Sequence, residues 1–159
     1  MKLPRLPLKG SCLCGSVHVS LSALPLLTLA CHCRDCQKLC ASAYSLTAMF
    51  PADSFSVTGD LMRGGLRSKG REHHYCRSCL TFVYSRIAGA DERVNLRISV
   101  LEDAAALPPY VEVMTDEKQD WAEVSAAYSY SRFPEGAEEL RGLMESYSKG
   151  WSEPVQPKD

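Results

Sequence analysis

Residues 31–40 read CHCRDCQKLC and place four cysteines within ten positions. The chain has 159 residues and 8 cysteines, and the other four lie in SCLC at 11–14 and in CRSC at 76–79. In a reducing compartment, clustered thiols indicate metal binding or catalysis more often than disulfides. The spacing of the cysteines therefore decides which fold and which chemistry the sequence predicts.

The cysteines fall into groups whose spacings are typical of zinc ligands. Side chains two apart on a strand project to the same side, and a C-x-x-C turn can close on one ion from two directions. A structural zinc takes four ligands, whereas a catalytic zinc takes three and keeps an open position. The groups are a C-x-C pair (Cys12 and Cys14), a C-x-C-x-x-C triple (Cys31, Cys33 and Cys36) and a C-x-x-C pair (Cys76 and Cys79), with Cys40 alone.

Two zinc sites of different kinds follow from these groups. The triple is local enough to wrap one ion, whereas each pair needs another pair to complete a tetrahedron. We therefore expect the two pairs to form a closed structural site and the triple to form an open site. Cys40, four residues after Cys36, is expected to pack beside the open site.

The spacing alone leaves two other arrangements open. In the first, the triple and one pair share a single zinc, and the remaining thiols are buried and inert. In the second, the 8 cysteines form disulfides, which fits their even number but not the expected reducing compartment.

Apolar periodicity predicts a mainly β fold. Val17, Val19 and Leu21 alternate as on a half-buried strand, and segments between residues 26 and 114 read as further short strands separated by turns. A short helical segment is expected at 34–43, directly after the triple. The segment EELRGLMESYSKGW at 138–151 predicts a C-terminal helix whose apolar side packs on the body, with Leu140, Leu143, Met144 and Tyr147.

Composition argues against several classes of protein. Hydrophobic residues make up 45% and charged residues 23%, and no apolar run approaches the roughly 20 residues that span a bilayer. With 18 basic and 19 acidic side chains, the net charge is -1, so we expect no nucleic-acid partner. Prolines interrupt the N-terminal segment where a signal peptide needs an unbroken apolar run, so a cytoplasmic location is expected.

The motifs in their order resemble a known family. GSCLCGSVHVS is followed by CHCRDCQK, HYCRSC, LRISVLED and PPYVEVM, and then by DW, from about Gly10 to about Trp121. This order resembles the family of glutathione-dependent formaldehyde-activating enzymes, which is related to centromere protein V. Three cysteine motifs in one order are more specific than a single C-x-x-C. The family commonly has glycine where this chain has Cys40 and Leu80.

The resemblance implies a zinc-stapled fold of the Mss4-like kind with two zinc ions per chain. The zinc-binding domain is expected at 1–135, with a C-terminal helix and tail at 136–159 packed on it. The structural zinc corresponds to the two pairs. The second zinc, associated with glutathione and formaldehyde, corresponds to the triple, which is then also the catalytic site: Cys31, Cys33 and Cys36.

The activity that the resemblance implies is that of a carbon-sulfur lyase or synthase. Its substrate is a thiol adduct such as S-hydroxymethylglutathione, with the thiol bound at the open zinc. A fourth thiolate can join three cysteine ligands, and binding lowers the pKa of that thiol. The alternative function is a non-catalytic two-zinc module that binds a protein partner.

Other polar residues near the cysteines have weaker expected roles. The basic residues nearest to them in sequence could contact a substrate carboxylate: Arg34, Lys38, Lys69 and Arg71. His32, between two cysteines of the triple, is expected to pack or to support the ligands rather than to bind metal. His73 and His74 are expected to be ordinary surface histidines.

Overall fold

Short stretches rich in apolar and β-branched residues form eleven strands in the computed structural model, which describes residues 4–65 and 70–152. The mainly β prediction is confirmed. The strands are β1 (Leu8–Ser11), β2 (His18–Leu21), β3 (Leu27–Cys31), β4 (Ser45–Pro51), β5 (Phe55–Thr58), β6 (Leu61–Gly65), β7 (Arg71–Cys76), β8 (Phe82–Ile87), β9 (Arg93–Arg97), β10 (Val111–Val113) and β11 (Tyr128–Ser129).

Two α-helices accompany the strands in the described residues, and both were expected from the sequence. They are α1 (Arg34–Cys40) and α2 (Gly136–Ser152). Short 3-10 segments lie at Ala52–Ser54, Ile98–Val100, Ala104–Ala106 and Thr115–Glu117. No helix within the described residues is long and apolar enough to span a membrane.

The strands form two sheets. The small sheet has the order β1-β2-β5, and the large one has the order β11-β10-β3-β4-β9-β8-β7-β6. Most pairs are antiparallel, but β10 pairs parallel with both β3 and β11. All five residues of β3 are buried, as expected for an apolar strand in the interior of a sheet.

Helix α2 packs on the domain through the side predicted from its periodicity. Leu143 and Tyr147 are buried, and Leu140 and Met144 pack against the same core. The ring of Tyr110 lies 5.1 Å from that of Tyr147. The end of the predicted tail, at 153–159, lies outside the described residues.

The sequence did not predict β1, β6 or β11. β6 ends in the pair Gly64 and Gly65, which reads as a turn, and β11 has only 2 residues. β1 contains Gly10, which an isolated bridge joins to Leu101. A Cβ atom at Gly10 would lie 2.2 Å from the carbonyl oxygen of Val100, so this close approach of two backbones requires glycine.

Candidate metal centre

The two cysteine pairs meet although they are far apart in sequence. Cys12 and Cys14 lie in the turn between β1 and β2, whereas Cys76 ends β7 and Cys79 lies in the turn between β7 and β8. Their four sulfurs all lie within 4.8 Å of one another. The Sγ atoms of Cys12 and Cys14 are 3.5 Å apart, and those of Cys14 and Cys76 are 3.8 Å apart.

The donor set of this four-cysteine group fits zinc. A tetrahedral site with Zn–S bonds of about 2.3 Å places its sulfurs about 3.8 Å apart. The observed separations of 3.5 and 3.8 Å are close to this value. The group can therefore hold a zinc ion without a large movement of the backbone.

Local hydrogen bonds favour the thiolate form of two of these cysteines, Cys12 and Cys79. The Val17 amide donates to Cys12 Sγ at 3.2 Å, and the Thr81 hydroxyl lies 3.1 Å from Cys79 Sγ. The Thr81 side chain and backbone lower the pKa of Cys79 to about 5. The Leu13 amide also donates to Thr81 Oγ1 at 3.1 Å, which ties the two turns together. Because the thiolate is the metal-binding form, these contacts favour ligation.

The triple forms a second and separate group. Cys31 ends β3, Cys33 is the N-cap of α1, and Cys36 lies in the first turns of that helix. Their sulfurs lie within 4.8 Å of one another, and among the described residues no other Cys, His or carboxylate joins them. All 8 cysteines are free. The geometry therefore gives no support to disulfides or to one ion shared between the triple and a pair.

The triple favours a thiolate at one position. The Cys36 amide donates to Cys33 Sγ at 3.4 Å. Contacts with the thiols of Cys31 and Cys33 lower the pKa of Cys36 far below its usual range. The thiols of Cys33 and Cys36, followed by burial, raise the pKa of Cys31. A thiolate at Cys36 suits this group to a metal cation as well.

A buried polar cluster surrounds His32, which lies between Cys31 and Cys33 of the triple. His32 is fully buried, and its Nε2 lies 3.1 Å from Glu112 Oε2. Lys118 donates to the same carboxylate oxygen at 3.0 Å. The amide of Gln37 on α1 donates to the His32 carbonyl at 2.6 Å. His32 thus fixes the strand-to-helix turn rather than facing the thiols.

The triple opens into a cavity of about 450 Å³. Its floor is one face of the large sheet, because alternate residues of neighbouring strands are in register there. Ser45 lies opposite Cys31, and Thr47 lies opposite Arg97. A second row runs across β4, β9, β8 and β7, with Met49, Asn95, Ser85 and His73 in register.

The structure places only some of the expected basic residues beside the triple. Arg34 and Arg71 line the cavity beside the triple. Lys38 lies instead in a separate groove with Trp121, and Lys69 lies outside the described residues. Arg97 also lines the cavity, which the cysteine motifs did not predict. It is a charged residue inside the apolar segment NLRISV. That placement was the available signal, because an arginine in an interior strand needs a partner or a ligand.

The expectation that His73 and His74 are surface residues was wrong. His73 is 3% exposed and His74 is 8% exposed. Burial lowers the pKa of both side chains, that of His73 to about 4. His73 lines the cavity, whereas His74 stacks on Tyr84 with ring centroids 4.2 Å apart. Cys40, at the end of α1, is half-buried, and burial raises its pKa.

Comparison with known proteins supports the same interpretation of the cysteine pattern. A family model described as glutathione-dependent formaldehyde-activating enzyme matches residues 7–117. No curated protein matches the chain. A solved structure of a Rhodobacter sphaeroides protein, a structural genomics target, is similar with a TM-score of 0.50 and 20% identity, covering 59% of this chain and 87% of its own. At this identity the likeness shows the fold alone.

Proposed function

Because this chain belongs to the family of glutathione-dependent formaldehyde-activating enzymes, we propose that it is a zinc-dependent carbon-sulfur lyase or synthase. Its substrate is a thiol adduct of formaldehyde such as S-hydroxymethylglutathione. The single observation that carries the proposal is the triple of cysteines at the wall of a cavity of about 450 Å³. The proposed ligand groups are the two cysteine pairs for a structural zinc and the triple for an open zinc.

The reaction needs an ionised thiol and a place for one proton. In the synthase direction the sulfur bonds to the carbon of formaldehyde, the π electrons of the carbonyl move to oxygen, and the proton of the thiol ends on that oxygen. A zinc ion bound by Cys31, Cys33 and Cys36 would lower the pKa of a thiol bound at its fourth position, so that the thiol ionises near neutral pH. The lyase direction is the reverse of these changes.

The residues of the cavity provide the rest of the environment. Part of the cavity wall is apolar and consists of Leu29, Met49 and Ile87. This wall limits the access of water to the reacting carbon. Burial keeps His73 neutral above about pH 4, so its ring can hydrogen-bond to a hydroxyl without carrying charge. Ser45, next to Cys31 across the strands, offers a second hydroxyl partner.

Exchange spectroscopy by NMR tests the proposal. We expect zinc-replete protein to speed the interconversion of glutathione and formaldehyde with S-hydroxymethylglutathione above the spontaneous rate. Cys36→Ser should abolish this acceleration, because it removes one ligand of the open zinc. Cys40→Ser is the matched control: Cys40 is on the same helix but outside the triple, so the acceleration should remain.

Two results would overturn the proposal. One is an unchanged rate in Cys36→Ser. The other is no acceleration by wild-type protein with both cysteine groups loaded with zinc.

A further inference from the structure

Three buried polar atoms without hydrogen-bond partners lie on residues that line the same cavity. They are His73 Nδ1, Asn95 Oδ1 and Arg97 Nε. Their residues are at most 8% exposed. A buried polar atom without a partner is costly, and most such atoms in folded proteins are paired. Three of them around one cavity indicate that the cavity suits a polar ligand.

Arg97 is the charged member of this set, and its side chain is held firmly. Its Nη1 donates to Thr47 Oγ1 at 2.8 Å, and its guanidinium carbon lies 4.0 Å from the centre of the Phe82 ring. Neither contact neutralises the charge. Among the described residues no carboxylate forms an ion pair with Arg97. The Cys36 thiolate lies within electrostatic reach of Arg97. When zinc binds the thiolates of the triple, it neutralises much of their charge, and a carboxylate from a ligand would then stabilise the buried cation.

The other charges around the cavity leave this role to Arg97. Arg34 and Arg71 add two further positive charges to the lining, and both are exposed. Asp35 and Glu117 also line the cavity. Glu117 is engaged elsewhere, because it accepts a hydrogen bond from the Arg34 amide at 2.7 Å and pairs with Arg132 at 3.5 Å.

The distance from the triple to Arg97 suits a small substrate. Cys31 is opposite Ser45 on β4, and Arg97 is opposite Thr47 on the same strand. The two residues are therefore two strands apart and offset by two positions, which separates their backbones by about 12 Å. With both side chains reaching into the cavity, a molecule with a carboxylate a few bonds from its sulfur can contact both ends.

We propose that Arg97 binds a carboxylate of the substrate, so that the enzyme acts on low-molecular-weight thiols that carry a carboxylate. This inference rests on the proposed function, since it places the sulfur of the substrate at the triple. Asn95 and His73 lie in the row of paired residues that neighbours Arg97. They offer neutral hydrogen-bonding partners to the polar groups of the substrate between its sulfur and its carboxylate.

Calorimetric binding to zinc-replete protein tests the inference with two thiols of equal length. The probes are 3-mercaptopropionate, which carries a carboxylate, and 3-mercaptopropionamide, which is neutral. We expect wild-type protein to prefer the acid by about tenfold or more, as for a charge-assisted hydrogen bond in a buried site. Arg97→Met should remove the preference and leave binding of the amide in place.

A matched control separates Arg97 from general effects of charge. Arg93 is on the same strand, pairs with Glu92 at 3.5 Å and does not line the cavity. Arg93→Met should therefore keep the preference for the acid. If the carboxylate bound zinc instead of Arg97, the preference would persist in Arg97→Met.

The outcomes distinguish this inference from the proposed function. Equal affinity of wild-type protein for the two thiols would overturn the role of Arg97 and leave the proposed function standing. This comparison needs no variant, so it holds even if Arg97→Met does not fold. A preference that persists in Arg97→Met would overturn the inference as well. If neither thiol bound, the inference would fail, and the NMR exchange experiment would decide the proposed function separately.

Discussion

Leu80 lies directly after Cys79 in a left-handed backbone conformation, with a φ of 59°. Its residue is 63% exposed, so packing offsets little of the strain. Glycine adopts this conformation at no steric cost, which explains why the family commonly has glycine here. We expect Leu80→Gly to raise the free energy of unfolding of the zinc-loaded protein by about 1 kcal/mol, measured by urea denaturation.

Leu13 provides the control for this substitution. It lies in the other metal-binding turn and is 89% exposed, without a positive φ. Leu13→Gly should leave stability unchanged or lower it slightly, because glycine gains nothing there. A loss of stability in Leu80→Gly would contradict the assignment of strain to Leu80.

His73 makes stability depend on pH. Burial holds its pKa at about 4 in the folded protein, below the ordinary value of 6.5. The unfolded chain therefore binds the proton more readily, and stability is lost as the pH falls from 6.5 toward 4. His73→Gln should make the decline over this range shallower than in wild type when both are measured by urea denaturation at constant zinc. Equal slopes would show that His73 is not responsible.

The residues of the site could be predicted only where a short sequence motif reveals them. The cysteine groups could be found from their spacing, because each motif is short and supplies two or three ligands. Arg97 and Asn95 could not be placed, since their position beside the triple depends on the order of strands in the sheet. His73 was misjudged because nothing in HHYC shows which side of the strand is covered.

Two glycines give opposite predictions at the level of elements. Gly142 lies inside α2, with open space where a Cβ atom would be. Gly142→Ala should stabilise the protein by about 1 kcal/mol, because alanine favours the helix. At Gly10 the added Cβ atom would meet the Val100 carbonyl oxygen at 2.2 Å, so Gly10→Ala should destabilise by about 3 kcal/mol.

Urea denaturation of the two alanine variants checks both expectations. Each serves as the control for the other, since the chemical change is the same. Stabilisation by Gly10→Ala would contradict the close approach of β1 to Val100. Destabilisation by Gly142→Ala would show that α2 does not form as described.

The elements could be predicted where periodicity is strong. The alternation around Val17 and the helical stripe at Leu140 to Tyr147 are both found in the structure. The parallel pairing of β10 with β3 could not be predicted, because it joins segments about 80 residues apart, as Val111 with Leu29. No local pattern specifies such a pairing, although it holds β3, which carries Cys31, inside the large sheet.

At the scale of the whole molecule, the four-cysteine group joins the small sheet to the large one. If it holds the proposed structural zinc, Cys76→Ser should lower the free energy of unfolding by about 4 kcal/mol or more. Cys40→Ser, which changes a cysteine outside both groups, should have a much smaller effect. Thermal unfolding with and without a zinc chelator checks this. If the chelator left the wild-type midpoint unchanged, the group would not be a structural metal site.

If the triple holds a metal with a position open to a substrate thiol, cobalt in place of zinc should make binding of that thiol visible. Adding glutathione to protein with cobalt in both cysteine groups should increase the thiolate-to-cobalt charge-transfer absorption and saturate at one glutathione per chain. S-methylglutathione, which has no free thiol, should leave the spectrum unchanged. An unchanged spectrum with glutathione itself would contradict such an open position and favour a non-catalytic two-metal module.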